Sequence, residues 1–167
     1  MLKHAGTFRE TEAPLAYIGE RNRMHPALEP TEAPSPARVL LAEDDFELRS
    51  LLGFVLRADG HDVIEASNGN ELQAMLCRPS GQAGPHHFSL VISDLRMPGL
   101  TALDVLSKFH AELQGIPVIL ITAFGDQATH LRARQLGASC VIDKPFDFDE
   151  LREAVHQALH ERTRRAS

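Results

Sequence analysis

The 167-residue chain has no apolar run near the ~18 residues needed to cross a bilayer, which excludes a membrane-spanning helix. Its first residues, Met1 to Phe8, lack the apolar stretch that opens a secretory signal, so the expectation is a cytoplasmic protein. Only two cysteines are present, Cys77 and Cys140, too few for a disulfide framework. Both sit in apolar patterns and read as buried free thiols in a reducing compartment. Basic residues are in deficit: 17 Lys and Arg against 23 Asp and Glu leave a net charge of −6. That balance excludes a sequence-independent nucleic-acid binder, which needs a basic face. Arg162, Arg164 and Arg165 are the nearest thing to a basic stripe, and they read as a cationic helix end.

What is present is a globular mixture, 43% hydrophobic and 24% charged, in a length that fits one domain. Composition changes near residue 37. Residues 1–37 hold five of the ten prolines and apolar residues with no sustained period, the pattern of a Pro-rich, disordered arm and linker. Within it, Leu15-Ala16-Tyr17-Ile18 reads either as a chance apolar cluster, the commoner case in a tail, or as a docking peptide. Residues 38–161 form the domain, and 162–167 a basic C-terminal tail.

From Arg38 onward strand and helix patterns alternate. Val39–Ala42 is a short continuous apolar run, as in a strand buried on both faces. Leu48, Leu51, Leu52, Val55 and Leu56 then follow a helical period, opened by an aspartate cap and closed near Gly60. The same reading predicts strands at 61–66, 88–92, 117–121 and 140–142. It predicts helices at 71–77, 102–113 and 126–136, and a last one opened by Asp147 with an acid three residues on. The fourth helix has the weakest apolar stripe, mainly Ala128, Leu131 and Leu136. Five strands alternating with five helices imply parallel strands joined by right-handed crossovers. The expected fold is α/β: a doubly wound, flavodoxin-like, five-stranded parallel sheet of order 2-1-3-4-5 with five helices.

Such sheets place function at the carboxyl ends of their strands. There stand Glu43, Asp44 and Asp45 after the first strand, Asp94 after the third, Thr122 after the fourth, and Lys144 followed by Pro145 after the fifth. Singly, each has an ordinary role as a cap, turn or solvated residue. Together they put acids, a hydroxyl and an ammonium on one patch. Clustered carboxylates repel one another and are costly to hold together without a cation. Hard oxygen donors on a partly open site suit Mg²⁺. Carboxylates alone would fit a passive divalent-ion site equally well. The lysine and threonine shift the balance toward a site that grips a transferring phosphoryl group. Asp94 is then the candidate nucleophile, since carboxylates carry covalent phosphoryl intermediates.

Four segments, residues 39–45 (Val-Leu-Leu-Ala-Glu-Asp-Asp), 92–99 (Ile-Ser-Asp-Leu-Arg-Met-Pro-Gly), 121–123 (Ile-Thr-Ala) and 143–146 (Asp-Lys-Pro-Phe), resemble the signatures of the receiver domain of two-component response regulators. The resemblance spans about residues 38–161. It implies that Asp94 accepts a phosphoryl group from a sensor histidine kinase or phosphotransfer protein, with Thr122 and Lys144 assisting. It implies Mg²⁺ held by Glu43, Asp44, Asp94 and the Arg96 carbonyl. It further implies a cis Lys144–Pro145 peptide, and a change in the helix 4–strand 5–helix 5 face on phosphorylation. That face is also where a homodimer would form. The implied role is a signalling switch acting on an effector protein whose identity the sequence does not give, with no nucleic-acid or membrane partner. The alternative is a phosphate sink or relay intermediate without its own effector. An enzyme acting on external phosphoesters is not expected: dehalogenase-type phosphatases carry an acid two residues after the nucleophile, where this chain has Arg96.

Departures from the family pattern are local. Val141 stands where many receivers carry a Tyr or Phe that rotates with the threonine. Thr101-Ala102 replaces an Asp-Gly, leaving Gly99 to make the turn. The connection from Arg78 to His87 is several residues longer than usual. His86-His87 and the pair His156 and His160 offer too few ligands for a transition metal and read as solvated. Arg96 and Phe124 flank the phosphorylation site and read either as ordinary loop residues or as modulators of phosphoaspartate hydrolysis.

Overall fold

A computed structural model describes residues 36–77, 87–111, 113–123 and 125–166. The arm expected at 1–37 lies outside the described residues up to position 35, as do most of the long connection before His87, and Phe124. Ten elements alternate: β1 (Arg38–Ala42), α1 (Phe46–Ala58), β2 (Asp62–Ala66), α2 (Gly69–Leu76), β3 (Leu90–Asp94), α3 (Ala102–Lys108), β4 (Val118–Thr122), α4 (Gln127–Gln135), β5 (Cys140–Asp143) and α5 (Phe148–Ala166). The strands are all parallel, in the order β2-β1-β3-β4-β5, as expected.

Period-two alternation along the strands supplies two cores, one on each face. Val39 and Leu41 of β1 pack with Leu52 and Leu56 of α1, Ile92, Ile119 and Leu151 of α5. Leu40 and Ala42 point the other way, into a cluster with Leu72, Leu76, Val105, Leu106 and Leu120. Strands buried on both faces explain the unbroken apolar runs; full burial of each such aliphatic side chain contributes about 1.5–3 kcal/mol.

Helix starts follow their caps. Asp45, Asn68 and Asp126 each accept the N–H three residues on, at 2.8, 2.9 and 2.7 Å. Thr101 and Asp104 close a reciprocal capping box, and Asp147 accepts the Glu150 N–H at 2.8 Å. Gly99 has φ +89°, so it does supply the turn that Thr101-Ala102 left open.

Four expectations need correction. The third strand lies later than its pattern, with Asp94 as its last residue. The third helix stops at Lys108, capped by Phe109; the apolar residues at 109 and 113 that suggested a longer helix are buried from the turns that follow. On α4 the buried residue is Ala133, whereas Ala128 is exposed and Leu131 is 53% exposed; of the stripe read from the sequence, Leu136 alone, the C-cap, packs against the core. Cys77 is exposed, because it caps α2 one position past the last core residue, Leu76. Cys140 is half-buried, and burial pushes its thiol pKa up.

Candidate functional site

β1 and β3 are neighbours, with Ala42 opposite Ser93, so the residues just beyond meet. Glu43, Asp44 and Asp94 each offer a carboxylate oxygen, and these lie within 4.8 Å of one another. Glu43 and Asp94 are buried, Asp44 exposed. The Glu43 N–H donates to the Ala66 carbonyl at 3.1 Å, which continues the strand pairing up to the first acid. Glu43 Oε1 accepts the Asp45 N–H at 3.3 Å, tying the acid to its own loop. Asp45 faces away from the cluster and serves as the cap of α1.

Lys144 follows β5 and reaches back across the strand ends. Its Nζ donates to Glu43 Oε2 and stands equally close to Asp94 Oδ1, both at 2.8 Å. Its own N–H donates to the Thr122 carbonyl at 2.7 Å, which locks the start of this loop to the end of β4. The Lys144–Pro145 peptide is cis, as expected. The other Asp94 oxygen, Oδ2, accepts the Arg96 N–H at 2.8 Å. Thr122 is buried at the adjacent strand end, where β4 pairs with β3 through Ile121 opposite Asp94.

The electrostatics follow from this crowding. Burial pushes the Glu43 carboxyl pKa up; the Lys144 bond and charge oppose it, Asp94 adds to it, and the net shift is upward. Burial alone would lower the Lys144 pKa, yet bonds and charges from Asp94 and Glu43 outweigh it and raise it. The donor set fits a divalent cation: three carboxylates, one of them exposed, give hard oxygen donors with an open side for water, which suits Mg²⁺ over a soft metal.

Thus Glu43, Asp44, Asp94, Arg96, Thr122 and Lys144 lie at one end of the sheet, and Glu43, Asp44, Asp94 and Lys144 are brought into one cluster. Outside it, His156 and His160 stack with ring centroids 6.2 Å apart on the exposed side of α5. Two residues were missed. Arg49 of α1 binds the backbone of the acidic loop, and His130 of α4 pairs with Asp143 at 2.9 Å. Arg49 was recognisable as a cation one turn after the Asp45 cap; nothing in the sequence joins His130 to Asp143.

Residues 39–156 match the response regulator receiver domain family. The transcriptional regulatory protein GlrR of Escherichia coli is 35% identical over 126 residues, which cover 75% of this chain and 27% of that protein. The chain therefore spans about a quarter of the length of such regulators. Sporulation initiation phosphotransferase F of Bacillus subtilis is 29% identical over 122 residues, covering 73% of this chain and 93% of that protein. Among solved structures, the signal receiver domain of a putative LuxO repressor protein from Vibrio parahaemolyticus superposes with a TM-score of 0.69 at 25% identity, over 78% of this chain and 95% of that one. No described helix is long and apolar enough to cross a membrane. Receiver domains use Mg²⁺ at an acidic site and serve phosphorylation-based signalling with histidine kinases or phosphotransfer proteins. With its sheet order, its strand-end acids and this match over most of its length, the chain belongs to the response regulator receiver domain family.

Proposed function

We propose that this chain is a phosphorylation-dependent switch in the cytoplasm, in which Asp94 takes a phosphoryl group from a phosphohistidine on a sensor histidine kinase or phosphotransfer protein. The observation that carries this reading is the placement of Lys144 Nζ 2.8 Å from both Asp94 and Glu43, within a cluster of three carboxylates. An Asp94 oxygen forms the new P–O bond, the P–N bond breaks, and its electron pair stays on the donor imidazole nitrogen. Glu43, Asp44, Asp94 and the Arg96 carbonyl would hold Mg²⁺, which supplies charge neutralisation at the phosphoryl oxygens. Lys144 is already paired with Asp94 and needs only a short move to follow the charge outward onto the phosphate. The Arg96 N–H holds one Asp94 oxygen and so fixes the carboxylate plane. Thr122 sits at the next strand end, where its hydroxyl is drawn to the new oxygens, and the β4–α4 loop moves with it.

The change is read by an effector protein at the α4–β5–α5 face, which is also the candidate homodimer surface. The thin anchoring of α4 through Ala133 supports this. Chemistry is confined to phosphorylation of Asp94 and its hydrolysis. Arg96 occupies the position where a phosphoester hydrolase of the dehalogenase type has a second acid.

Incubation with a small phosphodonor and Mg²⁺ should add one phosphoryl group by intact-mass measurement. Asp94→Asn, or omission of Mg²⁺, should prevent it. Equal labelling of wild type and Asp94→Asn would sink the proposal. A relay role without an effector is the second reading, favoured by similarity to a phosphotransferase of which the chain covers 93%. Transfer of the label onward to a histidine phosphotransfer domain, with no phosphorylation-dependent partner, would select it.

A further inference from the structure

Arg49 lies in the first turn of α1, and its side chain is only 12% exposed. It turns back over the acidic loop. Its Nη1 donates to the Glu43 carbonyl at 2.7 Å and to the Asp44 carbonyl at 3.4 Å. Its Nε stands 3.5 Å from Glu65 Oε2 of β2, and its guanidinium lies 5.5 Å from the Phe46 ring centroid. Glu65 is held in turn by Arg57 Nη2 at 2.8 Å. Arg49, Gly53 and Arg57 are spaced i, i+4, i+8 on one face of α1. Glu65 reaches across that face at Gly53, where a Cβ would stand 2.8 Å from its Oε1.

We propose that Arg49 is a positioning residue: anchored by Glu65, it holds the carbonyls of Glu43 and Asp44 so that both side chains face the cation they share with Asp94. This rests on the Mg²⁺ reading of the site given above. The two carbonyls belong to consecutive ligand residues, and one guanidinium nitrogen, Nη1, meets both while Nε on the same rigid plane keeps a third contact to Glu65. Without it, one loop residue after another is free to rotate its carboxylate away.

Two effects of opposite sign compete here. A guanidinium near a cation site repels Mg²⁺, so removing it by charge alone raises the affinity. Losing an outer-shell support of the ligands lowers metal affinity, typically ~10–100-fold. Glu65, shared with Arg57, offsets part of the Arg49 charge, and the guanidinium is directed at carbonyls, so the positioning effect wins.

The test is calorimetric titration of Mg²⁺ into the full chain, with thermal melting of each metal-free variant alongside. Arg49→Ala should weaken Mg²⁺ binding about tenfold. Arg49→Lys keeps the charge but has one nitrogen for both the carbonyls and Glu65, and should weaken it roughly threefold with little change in melting. Glu65→Gln should also weaken it, but losing a nearby acid does so by charge alone, so its effect counts for the anchor only if it disappears when Arg49 is already Lys. If Arg49→Ala does not fold, Arg49→Lys, alone and combined with Glu65→Gln, decides the matter. Affinity unchanged or raised in the Arg49 variants, while Asp94→Asn still weakens binding, overturns this inference alone. Absence of Mg²⁺ binding in the wild type overturns it together with the reading beneath it.

Discussion

α1 and α4 start alike and end up anchored differently. Each follows a strand whose end carries site residues, and each opens on an aspartate that accepts an amide three residues on, at 2.8 and 2.7 Å. Yet α1 runs 13 residues and buries Leu52, Val55 and Leu56, while α4 runs nine and buries Ala133. Capping is therefore equal and packing is not. The difference assigns roles to the two sides of the site. The acids after β1 precede an element that is well buried, whereas the threonine that ends β4 precedes one with a single buried residue. Helix stability in proteins comes mostly from the buried face, and α4 has little of it.

The largest expected effect breaks the comparison at its strong side. Leu52→Ala, at a fully buried position, should cost about 2–5 kcal/mol in denaturant unfolding. A cost below about 1 kcal/mol would show that α1 is not anchored as described. Next, hydrogen exchange should sharpen the contrast. α4 amides should exchange through local openings and α1 amides only near global unfolding. Equal protection of the two helices would remove the physical basis for a moving α4.

A smaller effect is a pH dependence on the anchored side, just after α1. His61 is partly buried, its Nδ1 has no hydrogen-bond partner, and burial lowers its pKa, with Asp59 opposing. The unfolded chain then binds the proton more readily than the native one. The associated stability is present above the ordinary value of 6.5 and is lost as pH falls through the lowered native value. Melting of the wild type should therefore drop more than that of His61→Gln between neutral pH and pH about 5.5. Parallel curves would remove His61 from the account. The smallest effect is Leu131→Ala on α4, which should change stability by no more than about 0.5 kcal/mol because the side chain is 53% exposed. A larger loss would mean that α4 packs through a face not seen here.

Much of this was legible before any coordinates. Apolar runs, aspartate caps and glycines such as Gly60 and Gly137, at φ +89° and +98°, are short-range signals, and they placed ten elements in order. Once strands are parallel, chain order alone delivers Glu43, Asp44, Asp94, Thr122 and Lys144 to one end of the sheet. The failures were of another kind. The α4 stripe of Ala128 and Leu131 was misread because a short, polar helix offers several equally weak faces. Cys77 was misread because one residue past the last buried position is enough to turn a side chain to solvent.

The succession of elements along the chain and the acids at the strand ends were thus determined by the sequence itself, because periodicity and capping act over a few neighbouring residues. Tertiary structure alone decided that Lys144 bridges Glu43 and Asp94, that Arg49 and Glu65 hold the acidic loop, and that His130 meets Asp143. Those contacts join residues as far as 101 positions apart, and they depend on sheet register and side-chain reach, which no local pattern encodes.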